Sequence, residues 1–173
     1  KKDSVGICFI GKRNIKEFLQ TYIPSKSGNI VDLNGEIMGK HEGVMYYTIG
    51  QRKGLGIGGG HTNNNGAWYV LDKDATNNEL IVGQGHDHPG LYHRCLKASS
   101  PHWISGIAPE KDMLNAKIRY RSNDIACKII DLDINNIVVE FERPCFAIAP
   151  GQSIVFYDKD ICLGGAIIDS YSN

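Results

Sequence analysis

Apolar and polar positions change period as the chain proceeds. Ile15, Phe18, Leu19 and Tyr22 recur at helical spacing and predict a short helix over residues 14–22. Asn14 can cap its start, Glu17 completes a box-like pattern three residues later, and Pro24 stops it. Ahead of it runs Val5-Gly6-Ile7-Cys8-Phe9-Ile10-Gly11, an apolar stretch bounded by glycines. From residue 28 the period falls to two. Residues 29–33 and 36–39 flank Asn34-Gly35, a strong hairpin signal. Residues 45–49 are rich in β-formers and predict a strand. Residues 50–60 are too glycine-rich for a regular element and predict a loop, which runs into an Asn-rich tip at 61–66. Residues 67–71 and 79–82 predict a second hairpin around polar 74–78.

Residues 83–92 read as a loop, and a domain boundary is placed in it, giving 1–90 and 91–173. Beyond it, seven short stretches alternate with turn residues: 95–99, 115–120, 126–133, 136–142, 145–148, 153–157 and 161–168. Pro150-Gly151 and residues 158–160 are tight corners. The fold class expected is mainly β with one short helix, a small mixed domain followed by a carboxy-terminal antiparallel β-barrel.

Composition narrows the function classes. No apolar stretch approaches the ~18 residues that would span a bilayer, so no membrane partner is expected. The opening residues lack the pattern of a secretory signal. They also lack a starting Met and read as the middle of a domain, so a fragment is expected. The 19 basic and 19 acidic residues cancel, unlike a dedicated nucleic-acid module; any footprint for RNA must come from local clustering. Five cysteines, widely spaced and without a CxxC pair, argue against a zinc ribbon and suit reduced thiols in a cytoplasm.

Four segments carry candidate chemistry. Cys8 lies between glycines, before a helix start and close to Lys12 and Arg13, a setting that favours a thiolate; composition alone would place such a cysteine in a core. Gln51, Arg52 and Lys53 open the glycine-rich loop and could face a phosphate, although neither a Walker A loop nor a dinucleotide fingerprint is present. His86, His88, His93 and Cys95 have metal-ligating types, but beside Pro89 they read better as a turn, and no metal is expected on this chain. Lys117, Arg119 and Arg121 would share one face of a strand, with Tyr120 opposite, a stripe suited to a phosphate backbone.

In order along the chain, Gly6–Gly11, Met45–Gly59, Trp68–Val70, Val82–Pro89, Lys117–Arg121, Pro150–Tyr157 and Cys162–Gly165 resemble the tRNA-specific 2-thiouridylases. The resemblance implies a central domain and a carboxy-terminal barrel of an enzyme that replaces the C2 oxygen of uridine 34 in tRNA anticodons with sulfur, using ATP, with Mg expected. It implies that Cys8 receives sulfur as a persulfide from a sulfur carrier protein, and that a second cysteine, in an amino-terminal ATP-binding domain, helps release it. It further implies that Arg119, Tyr120 and Gln152 touch tRNA; the cation stripe adds Lys117 and Arg121 to that contact, and the basic loop of Gln51, Arg52 and Lys53 is expected near the substrate. A stand-alone RNA-binding barrel without catalysis is the alternative that the residues themselves leave open, and a metal module at His86, His88 and Cys95 is a third.

Overall fold

The structure is a computed structural model, and it describes residues 15–57, 66–119 and 122–173. The chain divides between His86 and Asp87 into two compact units.

The first described element of the first unit is helix α1 (Ile15–Gln20). It is shorter than the periodicity predicts. Thr21 Oγ1 donates to Phe18 O at 2.5 Å, the chain turns over Thr21 and Tyr22, and Tyr22 stays exposed with its ring 5.2 Å from that of Phe18. Four strands follow: β1 (Gly28–Val31), β2 (Ile37–His41), β3 (Trp68–Asp74) and β4 (Glu79–Gln84). Both expected hairpins form. Asp32 closes the first by accepting from the Asn34 and Glu36 amides at 2.9 and 2.8 Å, an Asx-type turn. The sheet order is β2-β1-β4-β3, so the hairpins join through a parallel β1–β4 pair, Ile30 opposite Leu80. Ile30, Met38, Tyr47, Leu55, Val70, Leu80 and Val82 form the core.

Residues 45–49 do not form the predicted strand. Val44–Tyr46 make one 3-10 turn, and Tyr47 and Ile49 are buried. The next residues then cover the edge of β3, with Gly50 N donating to Val70 O at 2.7 Å and Val70 N to Gln51 O at 3.0 Å. Their backbone thus pairs with an open sheet edge that would otherwise present unpaired groups, while Tyr47 packs into the core. Leu55 anchors the glycine-rich stretch from inside the core.

His41 is the only buried polar residue among those described. Its Nδ1 accepts from Gly43 N at 3.0 Å, so Nε2 carries the proton and donates to Asn78 O at 3.0 Å. Asn78 in turn donates to Ser27 O at 2.8 Å. One neutral imidazole thus ties the end of β2 to the β3–β4 turn.

The second unit is a closed barrel of six antiparallel strands: β5 (Tyr92–Trp103), β6 (Met113–Lys117), β7 (Ile125–Leu132), β8 (Asn136–Phe146), β9 (Ser153–Asp158) and β10 (Ile161–Ser172), in the order β10-β5-β8-β7-β6-β9. Alternating residues fill it, among them Leu96, Ile137, Val139, Phe141, Ile154, Phe156 and Ile168. Two of the seven predicted stretches, 136–142 and 145–148, merge into β8. Pro144 does not break it because it falls in a bulge. Between the pairs His93↔Cys145 and Cys95↔Glu140, residues 141–144 face Arg94 alone. There Pro144 removes no ladder hydrogen bond, and Arg94 Nη2 donates to Glu142 O at 3.1 Å. The stretch expected at 115–120 ends early, at Lys117.

Candidate nucleic-acid interface

The end of β6 and the corner before β9 build one groove. Lys117 is the last residue of β6, paired with Val155 of β9, and its Nζ lies 5.0 Å from the Tyr157 ring centroid, within cation–π range. The chain then bends. Ile118 turns into the barrel and is buried, and Arg119 leaves the sheet, its carbonyl accepting from Ser122 Oγ at 2.9 Å. Across the groove the 150–152 corner is held to β10: Gly151 N donates to Ile168 O at 2.8 Å and Ile168 N to Gln152 O at 2.8 Å. Gly151, at φ 81, supplies the left-handed turn.

The resulting groove has a volume of about 620 Å³ and is lined by Lys117, Ile118, Arg119, Gly151, Gln152, Ser153, Val155 and Tyr157. Two cations, an amide, two hydroxyls and an aromatic ring line it, and among the described residues no carboxylate does. That set suits an anion with an adjoining planar or sugar group. Arg119 is half-buried. Burial lowers its pKa from the ordinary guanidinium value, opposed by the neighbouring Cys145 thiol.

Of the residues expected at the site, Lys117, Arg119 and Gln152 come together here. The strand itself stops at Lys117, short of the expected stripe, yet burial still alternates through Ile118, and Lys117 and Arg119 line the same groove. Tyr120, Arg121 and Cys8 lie outside the described residues. Gln51 belongs to the first unit, and its side chain builds its own loop: Oε1 accepts from Thr48 N at 3.1 Å and Nε2 donates to Lys53 O at 2.9 Å. Arg52 and Lys53 are exposed. Ser153 and Tyr157 were not singled out from sequence as binding residues. The period-two pattern after Pro150-Gly151 could have placed both on one strand face.

The histidine-rich stretch serves local structure. His86 packs edge-on to Tyr69 at 5.7 Å. His88 Nδ1 accepts from Gly90 N at 3.1 Å, capping the 3-10 turn Pro89–Leu91. His93 rests on Tyr171 at 4.2 Å. Among the described residues no three His, Cys, Asp or Glu side chains converge on a common point.

Cys127 and Cys145 are buried in the barrel, and burial pushes their thiols up to about 12 and about 11, whereas Cys162 is exposed. At neutral pH an alkylating reagent should label Cys162 in the folded barrel and reach Cys127 and Cys145 only after denaturation. The same burial makes stability fall at high pH. The folded thiols keep their protons while unfolded ones lose them above about 9, so this contribution is complete below that value and is lost as pH rises towards 12. Mass mapping of labelled peptides, with and without denaturant, checks the first. An alkaline unfolding titration checks the second.

Residues 16–84 match the tRNA methyl transferase PRC-barrel domain family, and residues 93–168 match the aminomethyltransferase beta-barrel domain family. The chain is 54% identical over 170 residues to the tRNA-specific 2-thiouridylase MnmA of Haemophilus influenzae, covering 97% of this chain and 44% of that protein. It is 50% identical over 171 residues to the protein of that name from Shewanella amazonensis, covering 98% and 45%. With that of Idiomarina loihiensis it shares 52% over 170 residues, covering 98% and 46%. The chain thus spans less than half the length of the curated relatives it matches. No helix among the described residues is long and apolar enough to cross a membrane. Over nearly its whole length, then, the chain is similar to tRNA-specific 2-thiouridylases, and it carries in succession the two domain types that the family models describe.

Proposed function

We propose that this chain is the sulfur-carrying and tRNA-gripping part of a cytoplasmic enzyme that exchanges the C2 oxygen of uridine 34 in tRNA anticodons for sulfur. The observation that carries the reading is the groove. Arg119 and Gln152, far apart in sequence and both assigned to tRNA contact by the family resemblance, converge there with Lys117 and, among the described residues, without a carboxylate. The barrel's task is to hold the RNA by its backbone, since phosphate contacts set register and orientation while the base is handled elsewhere. The anticodon base must leave its stack to expose C2.

In this reading Cys8 accepts a sulfur atom from a persulfide-donating carrier protein, and its terminal sulfur attacks C2. A carbonyl oxygen leaves poorly, and adenylation by ATP is the step that would make it a leaving group. This chain has no Walker A loop, so ATP and its Mg are assigned to an amino-terminal domain. A second cysteine there attacks the Cys8 sulfur, forming a disulfide and freeing the 2-thiouridine. Tyr120 and Arg121, next to Arg119, extend the tRNA contact, and Arg52 and Lys53 with Gln51 form a basic loop near the substrate.

The test of the groove is Arg119→Ala in the full-length protein. Binding of a tRNA with uridine at position 34 should weaken about tenfold at moderate salt, and the log–log salt slope should fall by about one. Unchanged affinity and slope in a folded variant would sink the groove as the tRNA interface.

A further inference from the structure

Where β8 ends, Ala147 adopts φ 53, a conformation that non-glycine residues seldom take. It is fully buried, and both of its backbone polar groups are engaged. Its N–H donates to Leu91 O at 2.6 Å, and its C=O accepts from Arg119 Nη2 at 2.9 Å. The angle between a residue's own N–H and C=O depends on its φ and ψ, so the left-handed conformation is what aims one group at Leu91 and the other at Arg119. Phe146, the preceding residue, places its ring 6.0 Å from the Arg119 guanidinium carbon, and Tyr92 packs edge-on to that ring at 5.5 Å. Leu91 is itself fully buried and ends the 3-10 turn Pro89–Leu91 that leads into the barrel.

We propose that Ala147 is a positioning residue for tRNA recognition: its strained backbone fastens one arm of the Arg119 guanidinium to the barrel's entry turn, so that the planar group meets RNA in one fixed orientation. This rests on the reading of the groove as a tRNA interface. Non-glycine residues at positive φ cluster where surrounding structure over-determines them for function. A flexible arginine would lose rotamer freedom on binding, and one already tethered has lost it beforehand. The tether also explains why a guanidinium rather than an ammonium stands here. The planar fork can donate to Ala147 and present a second edge to the ligand, whereas a lysine offers one point of charge.

The test uses the full-length protein and a tRNA with uridine at position 34. Arg119→Lys keeps the charge but should lose most of the roughly tenfold affinity that Arg119→Ala loses. Ala147→Val, disfavoured at positive φ, should weaken binding to a similar extent. Ala147→Gly, which takes that φ freely, should recover most of what the valine loses. In the Arg119→Lys background Ala147→Val should add nothing, because the two act through one contact. If Arg119→Ala leaves binding unchanged, the groove reading fails, and this inference with it. If Arg119→Ala weakens binding but Arg119→Lys or a folded Ala147→Val binds like the parent, or if the two effects add, the positioning role alone is overturned. Should Ala147→Val not fold, nitrogen-15 arginine NMR of the parent decides: a resolved, slowly rotating Arg119 guanidinium supports the tether, and a freely rotating one refutes it.

Discussion

In the full-length protein, Cys8→Ser should reduce thiolation of uridine 34 by at least about a thousandfold while leaving tRNA affinity within about twofold. The chemistry requires a sulfur atom that can carry a second sulfur and then release it. A thiol does this by forming and exchanging S–S bonds. A serine hydroxyl has nearly the thiol's shape, but it forms no comparable bond to sulfur and does not ionise near neutral pH, so the relay stops at its first step. The barrel groove is built from Lys117, Arg119, Gln152 and their neighbours, and none of these is altered, so binding and chemistry should separate. The readouts are thionucleoside analysis of the product tRNA, mass detection of a persulfide on the Cys8 peptide, and filter binding. Thiolation near the parental rate would remove Cys8 from the mechanism.

Gly164→Ala should be the most damaging single-methyl addition in the barrel. Gly164 lies in β10, paired with Trp103 of β5 and Phe156 of β9, at φ 152. A Cβ there would sit 2.1 Å from His102 O and 2.9 Å from Trp103 Cα. Both are backbone atoms, so no rotamer change relieves the clash. The ring of strands is closed, so displacing β5 disturbs β8 as well. Overpacking of this kind costs about 1–3 kcal/mol in an ordinary core, and the positive φ adds about 1 kcal/mol more; a loss of about 3 kcal/mol is expected. At about 4–8 °C per kcal/mol for a domain of this size, Tm should fall by about 15 °C. Gly106 is the control. Its φ is 76 but nothing lies within 4 Å of an added Cβ, so Gly106→Ala should lose only about 1 kcal/mol. Thermal melts that show equal losses would refute the steric account.

The segments with strong local signals behave as their residues suggest. Asn34-Gly35 makes its hairpin because the turn conformation is set by those two residues and Asp32. The strands beyond residue 91 alternate because one face of each fills the barrel. Residues 45–49 mislead for an instructive reason: Tyr47 and Ile49 are apolar because they are buried, and burial on the flank of a sheet leaves the same trace as burial within one. The gap between the expected stretches 136–142 and 145–148 misleads in the opposite direction: a bulge against Arg94 lets β8 run through Pro144.

By itself, then, the sequence determined the local alternation, the hairpins, the barrel class and the ordered motifs that mark the family, because each of these depends on residues close together in the chain. Only the tertiary structure decided the parallel β1–β4 pairing, the bend that buries Ile118 and turns Arg119 out of the strand, and the meeting of Arg119 with Gln152 and Ala147. Those contacts join residues tens of positions apart. They depend on strand register and on closure of the barrel, which no local period encodes.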